Sequence, residues 1–322
     1  LLILLLTALM IGASLLLFAM RADRLHSDSQ FAPLSREALL LANNILLCVA
    51  TASILLGTLY PLLLDALGLA KLSVGPPYFN QVLLPVLLPL LLCTGLGPRL
   101  RWKQQQLAAL LPALGKILLC CAGLTLLWCG VLSTPSVLTV LGMLAALWIA
   151  SSIVLELGQR LRTGKRVGMA AAGMHLAHLG LAVTTLGIAL STAYSLETDT
   201  PLAIGQTVQL GDYQFSLLSM EEGLGPNYLA STARIQVWQQ GKPLHLLMPE
   251  KRRYLSQPDM PISEAAIAAG PFSHLYATLA DPIDTGRWGI RLYYKPMISW
   301  IWAGAALMAM GGLLAAGDRR YR

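Results

Sequence analysis

Apolar residues in this chain come in long unbroken runs rather than at the three- and four-residue spacing of an amphipathic helix. The runs fall near Leu1 to Met20, Leu39 to Leu63, Val82 to Leu96, Leu107 to Val131, Ser136 to Leu157, Met169 to Thr192 and Met297 to Ala316. Most approach the ~20 residues that cross a ~30 Å hydrocarbon core, so the pattern predicts seven transmembrane helices. The third run is short and carries Pro85 and Pro89, which predicts a kinked or tilted helix. Between residues 193 and 296 the pattern changes to alternation, as in Ser231 to Trp238 and Ile290 to Tyr294, punctuated by Gly211-Asp212, Gln240-Gly241-Lys242 and Asp284-Thr285-Gly286. That predicts about six short strands, enough for a small β-barrel or sandwich, with an OB-like barrel among the options. The expected fold class is therefore an α-helical polytopic membrane protein with a small β domain inserted before the last helix. The expected division is a six-helix bundle over 1–192, a β-rich domain over 193–296, and a last helix with a basic tail over 297–322.

Charge orients these elements. Lys and Arg number three in 21–38, one in 64–81, three in 97–106, none in 132–135, four in 158–168 and three after the last run. High and low alternate, so the positive-inside rule puts the first, third and fifth connections and the C-terminal tail in the cytoplasm and the β domain on the opposite side. Long domains escape that rule, and the β segment, with eight basic and ten acidic residues, is nearly balanced.

Composition narrows the function classes. The chain is 56% hydrophobic and 12% charged over 322 residues, which excludes a soluble enzyme domain. Its net charge of +7 comes from loops beside apolar runs and is not interleaved with aromatics, which argues against nucleic acid. All five cysteines (Cys48, Cys93, Cys120, Cys121, Cys129) lie in apolar runs, with no Cys-x-x-Cys pair, so they read as membrane-buried small hydrophobes rather than disulfides, a thiol-redox motif or a zinc knuckle. The chain opens on Leu1 within an apolar run, without a signal peptide's basic start, and reads as the C-terminal part of a longer protein.

The sixth run contains Gly173-Met174-His175-Leu176-Ala177-His178-Leu179-Gly180. A titratable side chain inside a span is a functional candidate. At 1.5 Å per residue from Arg166, His175 lies ~13 Å and His178 ~18 Å along the helix, near mid-bilayer. At 100° per residue Ala171, His175, His178, Ala182, Thr185 and Ala189 share an arc of ~80°, while Gly173, Gly180 and Gly187 recur on the opposite side. The glycine stripe predicts close packing of a neighbouring helix. The alanine-lined face leaves a slot into which imidazole projects, as a flat iron macrocycle requires. An equally good reading of the same residues is one histidine hydrogen-bonded to a neighbouring helix amid ordinary small-residue packing. Neither carboxylate nor cysteine accompanies the pair, so zinc and di-iron sites lack support.

Other polar residues carry less. His26 lies in a loop beside Asp23 and Asp28 and reads as solvated; His245 and His274 in the β domain read as surface or core residues. Lys116 in the fourth run and Glu156 near the end of the fifth could serve a proton or ion path, making a proton-coupled transporter the rival reading. Against that, Lys116 can snorkel and Glu156 can pair with Arg160. The connection Ser73 to Asn80 reads as a rigid aromatic loop at the outer interface. No catalytic residue set, phosphate loop or paired-carboxylate constellation is evident.

Several strings resemble the C-terminal half of the CcmF/NrfE family of bacterial cytochrome c maturation proteins. They are Leu39-Leu40-Leu41-Ala42-Asn43-Asn44, Gly57-Thr58-Leu59-Tyr60-Pro61, Ser73 to Asn80, Gly173 to Gly180, Gly225-Pro226-Asn227-Tyr228, Glu250-Lys251-Arg252, Ser263-Glu264-Ala265-Ala266-Ile267, Arg291-Leu292-Tyr293-Tyr294-Lys295-Pro296 and Trp300-Ile301-Trp302. Their order and spacing together are specific. The resemblance implies a haem lyase subunit of the bacterial inner membrane, with the β domain in the periplasm. It also implies a b-type haem held by two transmembrane histidines, which passes electrons from quinol to a substrate haem bound for an apocytochrome c Cys-x-x-Cys-His motif. The family's Ala-His-x-Gly string matches Ala177-His178-Leu179-Gly180, which assigns His178 as the axial metal ligand. His175, three residues earlier, is retained as a second cofactor-binding candidate. Implied partners are the N-terminal half of the same protein, the haem chaperone CcmE, apocytochrome c and CcmH/CcmI-type accessory subunits. The family's tryptophan-rich loop, its flanking histidines and the other haem ligand belong to that N-terminal half, so the fragment is not expected to be active alone. An NrfE-type paralogue serving a nitrite reductase cytochrome is the alternative within the family.

Overall fold

The computed structural model describes residues 2–25, 32–69, 71–104, 106–131, 136–164, 167–284 and 286–318. Seven helices, α1 (Leu2–Arg21), α2 (Arg36–Ala66), α3 (Pro76–Leu96), α4 (Leu107–Val131), α5 (Val137–Arg162), α6 (Met169–Tyr194) and α7 (Ile298–Ala316), carry the apolar runs. Among the described residues, seven helical segments are long and apolar enough to cross a membrane, and the chain is a polytopic membrane protein. The sequence places each helix to within a few residues except α3, which starts at Pro76 instead of near Val82. Pro76 and Pro77 occupy the first helical turn, where a missing amide hydrogen costs nothing. The supposed loop Ser73 to Asn80 is thus largely a helix start, and α3 continues through Pro85 and Pro89.

The chain divides into two compact units, residues 1–124 with 147–167, and residues 125–146 with 168–322. In the first, the Tyr78 hydroxyl donates to the Ser53 carbonyl at 3.0 Å. A Cβ on Gly57 would come within 2.5 Å of the Tyr78 ring, so that glycine sets how closely α2 and α3 approach. Trp148 of α5 packs over Gly95 and donates to the Leu92 carbonyl at 3.1 Å. The 32–36 and 100–103 connections are stitched together: Glu37 accepts from the Lys103 amide at 2.9 and 3.0 Å, and the Arg36 guanidinium lies 5.1 Å over the Trp102 ring.

The second unit is organised on the pair α6 and α7. They run antiparallel, with Gly173 against Gly311 and Ala315, Gly180 against Gly304 and Met308, and Gly187 against Met297 and Ile301. A Cβ at Gly180 would sit 2.5 Å from the Gly304 carbonyl oxygen, so backbone meets backbone, as small-residue membrane interfaces allow. The Asp318 carboxylate, beyond the end of α7, accepts from the Ala170 amide at 2.9 Å. It satisfies one of the orphan donors of α6 and places negative charge at that helix's positive end.

Between α6 and α7 lie ten strands, β1 (Leu196–Ala203), β2 (Thr207–Leu210), β3 (Tyr213–Leu224), β4 (Tyr228–Gln239), β5 (Lys242–Leu247), β6 (Glu250–Tyr254), β7 (Ile262–Glu264), β8 (Ala266–Ala269), β9 (Ser273–Asp284) and β10 (Arg287–Pro296). They form two antiparallel sheets, one ordered β1-β10-β9-β8 and the other β2-β3-β4-β6-β7 with β5 paired to β4. Alternate residues from both, including Phe215, Leu217, Ile235 and Val237 from one and Ala277, Leu279, Ile290 and Leu292 from the other, are fully buried in one core. This is a sandwich of two separate sheets, not an OB-like barrel. Two of the three expected turns are present, with Gly211 at φ 57°, and Gln240 and Gly241 at φ 49° and 75° in the β4–β5 hairpin, while the third includes Thr285, outside the described residues. The count exceeds the expected six in large part because β2, β7 and β8, at four, three and four residues, are too short for alternation to register.

Candidate functional site

The α6 helix carries the imidazoles on the side turned away from its glycine stripe. It is 26 residues long, ~39 Å at 1.5 Å per residue, which leaves His178 near its middle. His175 is 5% exposed, and both of its ring nitrogens are buried. His178 is only half-buried, with Nδ1 on the covered side. The rest of the arc is bare of polar groups: Ala182 and Ala189 are buried, and the Thr185 hydroxyl turns back to the Leu181 carbonyl at 2.8 Å. The predicted slot is shorter than the full arc. At its Ala189 end α5 closes it, where a Cβ on Gly142 would stand 2.9 Å from that of Ala189, and Met143 packs with Ala189 and Leu190. Of what remains, Ala171, His178 and Thr185 are half-buried while His175 and Ala182 are covered within the chain, so His178 is the imidazole left partly open.

That donor set fits one axial imidazole for a planar macrocycle. Among the described residues no three His, Cys, Asp or Glu side chains converge to make a metal cage. Two imidazoles three residues apart on one helix share one face, and so cannot grip a flat ring from both sides.

The other candidates lie elsewhere. Glu156 accepts from Arg160 Nη2 at 2.7 Å and Nε at 3.0 Å, the i,i+4 pair expected from sequence. Lys116 is exposed on α4, and His245 is exposed on β5. His26 lies outside the described residues. Cys48 and Cys120 are exposed, Cys93 half-buried and Cys121 buried, and all four are free thiols.

His274 is a core residue, one of the two readings its sequence allowed, but its partners were not all readable. It is buried, with Nδ1 3.3 Å from Tyr276 Oη and Nε2 2.8 Å from Ser299 Oγ. The Ser299 hydroxyl donates in turn to the Gly270 carbonyl at 2.8 Å, and Trp300 Nε1 to the Pro271 carbonyl at 3.1 Å. These bonds tie the start of β9 to the first turn of α7. The His-x-Tyr spacing on one strand face was readable; a serine 25 residues away was not. On the larger sheet, Arg252 lies 4.7 Å over the Tyr228 ring, bonds Glu250 at 2.8 Å and reaches Glu264 at 3.5 Å. Hydrogen bonds to Glu250 and Tyr254 hold its guanidinium charged well beyond its usual range.

A polytopic helix assembly with a β-sandwich set immediately before its last helix, and with imidazoles on the penultimate helix, defines a narrow class of membrane protein. Residues 193–296 match the family profile described as the CcmF C-terminal beta-sandwich. Cytochrome c-type biogenesis protein CcmF of Escherichia coli (strain K12) is 42% identical over 320 residues, covering 98% of this chain and 48% of the relative. The protein of the same name from Pseudomonas aeruginosa is also 42% identical, with 98% and 49% covered. The NrfE protein of Haemophilus influenzae is 34% identical, with 96% and 48% covered. A solved structure titled Cytochrome c Heme Lyase CcmF shares the fold at a TM-score of 0.69 and 23% identity, covering 89% of this chain and 46% of that one. The chain belongs to the CcmF/NrfE family and spans about half the length of the curated relatives it matches.

Proposed function

We propose that this chain is the part of a haem lyase assembly for c-type cytochrome biogenesis that supplies one axial ligand, His178, to a membrane-embedded b-type haem. The observation that carries this reading is the half-open imidazole of His178 near the middle of α6, on a helix face whose other residues are mostly small. The match of Ala177-His178-Leu179-Gly180 to the family string supports it. His175 is the more enclosed of the two, which favours His178 as the residue that meets a ring arriving from outside the chain. Bound there, the haem would supply one-electron transfer, with quinol as the source and a substrate haem as the acceptor.

The chain's own residues do the positioning. The α6–α7 glycine contacts and the Asp318 cap hold α6 in place, the small side chain of half-buried Ala171 leaves room beside the imidazole, and His178 would fix the depth of the ring. The second axial ligand and the substrate-haem platform are supplied by the remaining half of the family protein, so this chain by itself neither retains haem firmly nor joins it to protein. The sandwich, with its arginine–tyrosine cluster around Arg252, serves to dock partners: CcmE, apocytochrome c and CcmH/CcmI-type subunits. The membrane is the bacterial inner membrane, with the sandwich in the periplasm and the C-terminus in the cytoplasm. The CcmF-named relatives match more closely than the NrfE-named one, which favours general cytochrome c maturation over service to one nitrite reductase cytochrome.

The test is complementation. In a bacterium lacking its own CcmF, this chain co-expressed with the N-terminal half of a close relative should restore haem-stained c-type cytochromes. Either half alone should not. Failure of the pair, with both halves present in the membrane, would overturn the proposal.

A further inference from the structure

The loop joining β8 to β9 stands at a depth fixed by the last helix. At 19 residues, α7 is ~28 Å long, barely the ~30 Å thickness of a hydrocarbon core. It has no turn to spare, so its first turn has to stand at the edge of the hydrocarbon. Three hydrogen bonds pin the loop to that turn: Met297 N to the Phe272 carbonyl at 2.8 Å, Ser299 Oγ to the Gly270 carbonyl at 2.8 Å, and Trp300 Nε1 to the Pro271 carbonyl at 3.1 Å. The loop therefore lies at the level where Trp300 enters the bilayer. Its tip residue, Phe272, is 60% exposed although its ring is only 6.2 Å from that of Trp300, and Trp302, two residues beyond Trp300 on α7, is 72% exposed. Lys295, one residue before the end of β10, holds its ammonium 5.2 Å from the Tyr293 ring at the same end of the sandwich.

We infer that residues 270–273 form a membrane-dipping anchor, with Phe272 inserted at the boundary between phospholipid headgroups and acyl chains. An isolated exposed phenylalanine on a soluble face needs no explanation. This one is held by backbone bonds at bilayer depth, continuous with the lipid-exposed flank of a spanning helix and accompanied by a tryptophan and a lysine, the residues that favour that boundary. The partner is the lipid surface itself. The anchor fixes the height of the sandwich above the bilayer through a contact separate from the covalent links to α6 and α7, and it stands whether or not His178 binds iron.

The full chain, in phosphatidylethanolamine and phosphatidylglycerol nanodiscs, is prepared with benzoylphenylalanine at position 272, at 302 on the spanning helix, or at 224 on the distal β3–β4 end, where Leu224 is 84% exposed. After irradiation, mass spectrometry should find phospholipid adducts at 272 and 302 and none at 224. Labelling at 302 with no lipid adduct at 272, or with a protein adduct there, would overturn the inference. The first outcome would place the loop in water and the second under another protein surface.

Discussion

His274 places both ring nitrogens against hydroxyls, of Tyr276 and Ser299, inside a buried junction. Replacing it with leucine roughly keeps the volume but removes both imidazole hydrogen bonds, while Ser299 keeps its bond to the Gly270 carbonyl; each lost hydrogen bond costs about 0.5–1.5 kcal/mol. His274→Leu should lower the thermal midpoint of the purified chain, followed by circular dichroism in detergent; an unchanged midpoint would show that the junction adds nothing to stability. Asp284 makes a different kind of prediction. The Arg287 guanidinium, bonded to it, holds its carboxyl below the usual carboxylate range. A depressed folded value means that the contribution is fully present above the ordinary carboxylate pKa of about 3.9 and is lost as pH falls through the depressed one. NMR titration should find Asp284 ionising below its ordinary range in the native chain and within it in Arg287→Ala. His178 and His274 mark the limits of sequence reading. His178 stood out as a candidate because a titratable group in a lipid-facing run is costly enough to demand a reason. The partners of His274 did not stand out, because a lone histidine in an alternating strand does not reveal which hydroxyl the fold will bring to it.

The α6–α7 pair offers the sharpest comparison between elements. Gly311 and Gly312 are neighbours on α7, yet a Cβ at 311 would lie 2.5 Å from the Ala177 amide nitrogen while one at 312 meets nothing within 4 Å. Gly311→Ala should destabilise the helix pair by about 1–3 kcal/mol through forced separation. Gly312→Ala should stay within about 0.5 kcal/mol of the native chain. Unfolding in graded detergent mixtures would distinguish them, and equal effects would refute the backbone-to-backbone contact. The repeat at Gly173, Gly180 and Gly187 announced this interface because seven residues are close to two helical turns, so the glycines stay on one face. Helix α3 was misjudged at its start because Pro76 and Pro77 look like loop residues until they are seen at the one place where a helix accepts them. The short strands were lost for want of length.

At the scale of the whole molecule, the described residues include seven apolar helices and a two-sheet sandwich, and the chain spans about half the length of the curated relatives it matches. The apolar runs and the alternating segment made that architecture legible. A second ligand for the proposed haem was not legible, because a single helix face can offer only one side of a ring. The central claim is that His178, and not His175, meets the iron. The most direct measurement is the reduced-minus-oxidised optical spectrum of this chain co-purified with the N-terminal half of a CcmF relative, compared among the native pair, His175→Ala and His178→Ala. The native pair and His175→Ala should show a low-spin b-type haem with resolved α and β bands, and His178→Ala should lose that spectrum while both halves still co-purify. A low-spin spectrum that survives His178→Ala unchanged would contradict the account.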